Sequence, residues 1–150
     1  MQREYPDRPI AAVGVVVWRG DQVLLIRRGK APRAGQWSLP GGAQEIGETV
    51  ADTARREVLE ETGVHIGEPR LIEVLDSIQR GGDGRVVYHY TLIDFTAEWV
   101  SGDAKAGGDA AEVNWVAKSS LADHALWPET VRIINRAQDL RSDGSDPTGL

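Results

Sequence analysis

Between Arg55 and Val64 the chain reads RREVLEETGV, with Glu57, Glu60 and Glu61 crowded together and no lysine among them. On a helix of about 3.6 residues per turn, Glu57 and Glu61 fall on one side and Glu60 a little round the cylinder. Like charges at that spacing destabilise an isolated helix by roughly 0.2–0.5 kcal/mol per pair, so something must offset them. Ala51, Ala54 and Val58 form an apolar stripe beside the carboxylates. That stripe puts the acidic face at the edge of a core, where unpaired charge costs more. A divalent cation is the simplest remedy. Carboxylate oxygens without cysteine or histidine nearby suit Mg2+, with Mn2+ as a substitute, better than Zn2+. Magnesium in turn points to phosphate oxygens and to a water activated for attack. Taken alone, such a segment is more often a solvated helix face.

The elements around it must position those side chains. Thr49 followed by Asp52 has the form of a capping box, so a helix is expected from Thr49 to about Thr62, with Gly63 supplying the left-handed residue that ends it. Upstream, IAAVGVVVW (10–18) and VLLI (23–26) read as a hairpin turning at Gly20 and Asp21. The stretch from Arg27 to Glu48, rich in glycine and proline, reads as a long loop, and long loops in compact domains are usually functional. Downstream, LIEVLDSIQR, VVYHYTLIDFTAEWV and EVNWVA read as strands of an antiparallel or mixed sheet. WPETVRIINRAQDL reads as a second helix, with Pro128 in its first turn and Val131, Ile134 and Ala137 at helical spacing. The tail from Arg141 to Leu150 is expected to be disordered, leaving a single domain over 1–140.

Gly42, Glu48 and the run from Arg56 to Val64 are similar, position for position, to the Nudix box, the signature of the Nudix hydrolase family. The approach GQWSLPGG and the later EVNWV also resemble family features in the expected order, so the resemblance covers Ile10 to about Ala137. It implies an α/β fold, an α/β/α sandwich around a mixed central sheet, with the box (42–64) forming loop, helix, loop. It makes Glu57, Glu60 and Glu61 the expected magnesium ligands, joined by the Gly41 carbonyl. Glu48 and Arg56 would brace one another, while Gly42 and Gly63 shape the ends of the box. Glu57 or Glu60 could also take a proton from the attacking water. Otherwise a later acid does so, with Glu112 the first candidate and Asp109 the second.

The activity so implied is hydrolysis of a phosphoanhydride in a nucleoside diphosphate linked to another moiety. YHYTLIDF and AGGDAAEVNWV resemble compact ADP-ribose pyrophosphatases, which favours ADP-ribose or a related nucleoside diphosphate sugar. The proline usual after the box in those enzymes is absent, since Gln79, Arg80 and Gly81 stand there. The close alternative is therefore a pyrophosphohydrolase of (deoxy)nucleoside triphosphates. A non-catalytic sensor of nucleotides is disfavoured, because the box keeps every glutamate and the chain has no room for a winged helix. The family's isoprenoid isomerase chemistry needs a cysteine, and this chain has none.

Composition sets further bounds. A net charge of -6 argues against non-specific binding of long nucleic acids. Arg27, Arg28, Lys30 and Arg33 nevertheless form a local cationic group before the box. Strand alternation would let Arg27 or Arg28, but not both, contact a substrate phosphate. Without cysteine there is no disulfide or thiolate site. The start has no apolar leader and no window reaches membrane-spanning length, so a cytoplasmic protein is expected, with a homodimer as the family default. Trp18, Trp99 and Trp115 lie in strand-like runs and are expected in the core, and His65, His89 and His124 have no partner at metal-ligand spacing.

Overall fold

The structure is a computed structural model that describes residues 2–30 and 33–143. The long apolar run near the start forms β1 (Ile10–Arg19), which turns at Gly20 into β2 (Gln22–Arg28). Two short strands follow, β3 (Trp37–Ser38) and β4 (Gly41–Ala43), then helix α1 (Val50–Thr62) and β5 (His65–Ile66). The remaining elements are β6 (Arg70–Arg80), β7 (Val86–Ser101), β8 (Ala110–Ala117), a 3-10 helix over Lys118–His124, and α2 (Pro128–Ser142).

β1 lies at the centre of the sheet. It runs parallel to β7 and antiparallel to β2 and β4, while β6 and β5 join β7 and β8 joins β2 antiparallel. A strand covered on both faces must be apolar on both, which is why β1 reads as a continuous hydrophobic run. Val13, Val15 and Val17 face α1, packing with Ala54, Val58, Val64 and Phe95. Val16 and Trp18 face α2, packing with Ile133, Ile134 and Ala137. Helix, mixed sheet and helix thus form the three layers of the expected sandwich.

Several expectations change. The segment 27–48 is not loop throughout, because β3 pairs with β2 and β4 pairs with β1. Glycine makes the second pairing reachable: a Cβ on Gly41 would overlap the Val13 carbonyl. The inner face of α2 is formed by Ile133, Ile134 and Ala137, while Val131 is exposed at 36%. α2 also runs through Arg141 and Ser142, past the expected start of the tail, and Arg141 forms a two-pronged ion pair with Glu98. The rest of that tail, 144–150, lies outside the described residues. No helix among the described residues is long and apolar enough to cross a membrane.

The tight approach of β4 to β1 generates a test. Gly41→Ala should lower the free energy of unfolding by about 1–3 kcal/mol or more, as overpacking does when backbone must yield. Denaturant melts check this, and an unchanged midpoint would contradict the pairing.

Candidate active site

α1 begins where Thr49 caps it, its hydroxyl accepting from the Asp52 amide at 3.0 Å, and ends at Gly63 in the left-handed region at φ 73°. Both ends are as the sequence predicts. Along the helix Ala54, Val58 and Glu61 recur at helical spacing on the inner face, so Glu61 is drawn into the core although it is a carboxylate, and only 5% of it is exposed. Glu57 lies one turn earlier, with its side chain 15% exposed, and Glu60 is half exposed. Gly42 permits this arrangement, since a Cβ there would fall inside the Glu57 carboxyl group.

Arg56 compensates much of the charge. Its guanidinium grips Glu48 twice, at 2.7 and 2.9 Å, and also reaches Glu57 at 2.8 Å and Glu60 at 3.2 Å. It donates as well to the Ala43 carbonyl at 3.0 Å, tying α1 to β4. Arg56, helped by the Glu45 amide and the Thr53 hydroxyl, holds the Glu48 carboxyl down at about 2. The like-charge cost foreseen for the helix is therefore offset in large part by an arginine within it.

Glu61 lies beyond the reach of that arginine. Burial pushes its pKa up to about 7, opposed by the Gly41 amide, which donates to it at 2.8 Å, and raised further by Glu57. Burial likewise raises Glu57, with Arg56 opposing and Glu60 and Asp109 adding to it. Asp109 comes near because the loop after β7 closes the end of α1. In that loop the Lys105 and Gly107 amides donate to the carbonyls of Thr62 and Glu61 at 2.9 and 3.1 Å.

The four cations before the box separate. Arg27 pairs with Glu112, its cross-strand neighbour, at 2.6 Å, so the first candidate for a later acid and one of the candidate phosphate ligands bind each other. Lys30 pairs with Asp109 at 2.9 Å, and Arg33 lies over the Trp127 ring. Arg28, displaced by an irregularity in the β2–β8 register, lines a cleft that also passes Gly41 and Gly42. Of the two later acids, Asp109 and not Glu112 has its charge felt at Glu57 and Glu61. The cleft encloses about 1120 Å3, open mouth included, and continues past Trp37 and Tyr90 to Asp94. Asp94 escaped the sequence reading because it sits inside the apolar strand segment LIDF, where alternation alone explained the pattern.

A model of the NUDIX domain matches residues 8–137. The chain belongs to the Nudix family. An ADP-ribose pyrophosphatase of Methanocaldococcus jannaschii is 35% identical over 123 residues, spanning 82% of this chain and 70% of that protein. A human 8-oxo-dGDP phosphatase is 30% identical over 127 residues, covering 85% of this chain and 38% of that one. Among solved structures, a MutT NUDIX hydrolase from Burkholderia pseudomallei superimposes with a TM-score of 0.74 at 28% identity, covering 87% of this chain and 98% of the other. The protein is accordingly a Nudix pyrophosphohydrolase, of a family whose hydrolases generally use divalent metal ions.

The residues present fit such an ion by the chemistry of the donor set. Glu57 and Glu61 are two adjacent carboxylates, both raised by burial, and each gains from a cation that lets it ionise. Among the described residues no three acidic or histidine side chains converge as a ligand group, and Arg56 and the Gly41 amide engage the box glutamates.

Glu61 makes the site sensitive to pH. Because its folded pKa is raised from 4.5 to about 7, its contribution to stability is complete below about 4.5 and is lost as pH rises through 7. In chelator-treated protein the loss should reach up to about 3 kcal/mol from this group. Thermal melts across that range should show a weaker decline in Glu61→Gln, with Glu57 and Asp94 supplying what remains. A divalent ion at pH 8 should restore stability in the parent protein and much less in the variant. Identical pH slopes would contradict the assignment.

Proposed function

We propose that this enzyme is a magnesium-dependent hydrolase of nucleoside diphosphate derivatives, with ADP-ribose or a related nucleoside diphosphate sugar as its substrate. The observation that carries the reading is Glu61, a carboxylate buried in phase with the core of α1, beside Glu57 and next to a cleft that Arg28 lines. A buried acid with so little compensation is expected where a cation will meet it. The relative from M. jannaschii supports the choice of ADP-ribose.

Glu57, Glu60 and Glu61, with the Gly41 carbonyl, would hold the ion. These ligands are all oxygen donors, which favours Mg2+, with Mn2+ as its substitute. When bound, magnesium supplies charge compensation for the diphosphate and lowers the pKa of a coordinated water. Arg28 binds the diphosphate from the cleft wall. Arg56 holds Glu57 and Glu60 in place, and Glu48 holds Arg56. Glu60, the most exposed of the three, is placed to accept a proton from the attacking water, and Asp109 stands second. Both later acids carry a cation, Lys30 on Asp109 and Arg27 on Glu112, and Asp109 is preferred because its charge is felt at Glu57 and Glu61. A cytoplasmic homodimer acting on free nucleotides, and not on long nucleic acids, completes the reading.

A second substrate class, (deoxy)nucleoside triphosphates and their diphosphates, is favoured by the likeness to the human 8-oxo-dGDP phosphatase. A screen of nucleoside diphosphate sugars, dinucleotides and triphosphates with Mg2+ separates the two. ADP-ribose or a related sugar nucleotide should show the highest kcat/KM. Glu60→Gln and Glu61→Gln should each lose at least roughly tenfold in kcat while keeping a cooperative melt. Parent-like turnover in both folded variants would remove the box carboxylates from the mechanism.

A further inference from the structure

We propose that Asp94 reads the substrate's base, and that the base is adenine, whose edge sets a ring-nitrogen acceptor beside an exocyclic amino group. This deepens, and rests on, the reading of the cleft as a nucleotide site.

Asp94 on β7 lies opposite Gly14 on the parallel strand β1 and opposite Glu73 on β6. Side chains two apart on a strand share a face, so Tyr90, Leu92 and Asp94 form one wall of the cleft that also passes Gly41 and Gly42. Asp94 is only 6% exposed. Its Oδ1 occupies the space over Gly14 that a side chain would take, 2.7 Å from where a Cβ would stand.

A buried carboxyl is normally hydrogen-bonded, yet the Asp94 carboxyl forms no hydrogen bond among the described residues, and its oxygens open to the cleft, since the fully buried side-chain polar atom left without a partner there is Trp115 Nε1. Each neighbouring element explains why. Gly14 brings no side chain from β1. Glu73 on β6 and Glu129 on α2 are carboxylates. Arg132 on α2 is held by both of them, at 3.0 Å from Glu73 Oε1 and 2.8 Å from Glu129 Oε2. Arg136 is turned to Glu73 at 2.7 Å. An ionised Asp94 would thus be buried beside two other carboxylates without a donor of its own. Burial, with Glu73 and Glu129 adding to it and Arg132 opposing, brings the group up to about 7, so the neutral acid is favoured below that pH.

A neutral carboxyl presents one O–H donor next to one C=O acceptor. The amidine edge of adenine is its complement: the acid donates to the ring nitrogen and accepts from the amino group; cytosine carries the same pair, and the ADP-ribose reading selects adenine between them. A base lacking that amino group would leave the Asp94 carbonyl oxygen unpaired in a buried place, a mismatch such sites reject.

Equilibrium binding of AMP, of purine riboside 5′-monophosphate, which lacks the amino group, and of GMP tests this, with ADP-ribose turnover measured in parallel. At pH 6 the parent protein should bind AMP at least roughly tenfold tighter than the purine riboside compound. Its preference for the amino group should fall as pH rises above 7. In Asp94→Asn, whose amide offers the same donor and acceptor, the preference should persist from pH 6 to 8.5. In Asp94→Leu, shown to be folded by its melt, it should vanish and KM for ADP-ribose should rise more than kcat falls. An unchanged AMP preference in Asp94→Leu, or GMP bound more tightly than AMP by the parent protein, overturns the proposal. If turnover of nucleotides is found alongside that result, the base-reading role alone fails. If the parent protein neither binds nor hydrolyses any nucleotide, the reading of the cleft fails with it.

Discussion

The structure turns on the contact between the inner face of α1 and the two glycines of β4. Two carboxylates, from Glu57 and Glu61, are pressed against a backbone that has no side chains, and the Gly41 amide points at one of them. Close packing of acids is unfavourable unless it is compensated, and the compensation comes in two parts. Arg56 neutralises the outer part of the cluster and, through Glu48 and the Ala43 carbonyl, fixes the helix to the strand. The inner part, Glu61, receives one amide and a distant arginine, and burial leaves it titrating near neutrality. That imbalance is the chemical content of the site.

Other features follow from holding this contact in place. β1 must be apolar on both faces, since it carries β4 beside α1 and packs α2 beneath. The loop after β7 satisfies the last carbonyls of α1, which has no basic residue in its final turn, and thereby brings Asp109 towards the carboxylates. On the far side of the cleft α2 contributes Glu129 and Arg132, whose mutual engagement with Glu73 leaves Asp94 without a donor. The two ends of the cleft therefore share a principle. Each holds a carboxyl raised by burial.

Local signals in the chain specified α1 closely. Thr49, Asp52 and Gly63 mark its ends, and the phase of Glu61 with Ala54 and Val58 already implies burial. The hairpin of β1 and β2 and the strand character of β6, β7 and β8 were equally legible, because each rests on composition within one segment. Features set by register between distant segments were not. The pairing of β4 with β1 depends on glycines that read, in isolation, as loop. The mutual capture of Arg27 and Glu112 requires knowing that β2 and β8 are neighbours. Asp94 acquires its character only once β1, β6 and α2 surround it, and the inner face of α2 shifted from Val131 to Ile133 because its neighbours, not periodicity alone, decide which side is covered.

Glu57, Glu60 and Glu61 are proposed to hold a divalent ion jointly against a diphosphate. Crystals grown with Mn2+ and a non-hydrolysable ADP-ribose analogue, measured for anomalous scattering at the manganese edge, address it directly. The account predicts a manganese peak bonded to oxygens of these glutamates and to a diphosphate oxygen, with Arg56 still on Glu48. A fully bound analogue whose manganese lies away from all three carboxylates, or is missing while Arg56 keeps them engaged, would contradict it.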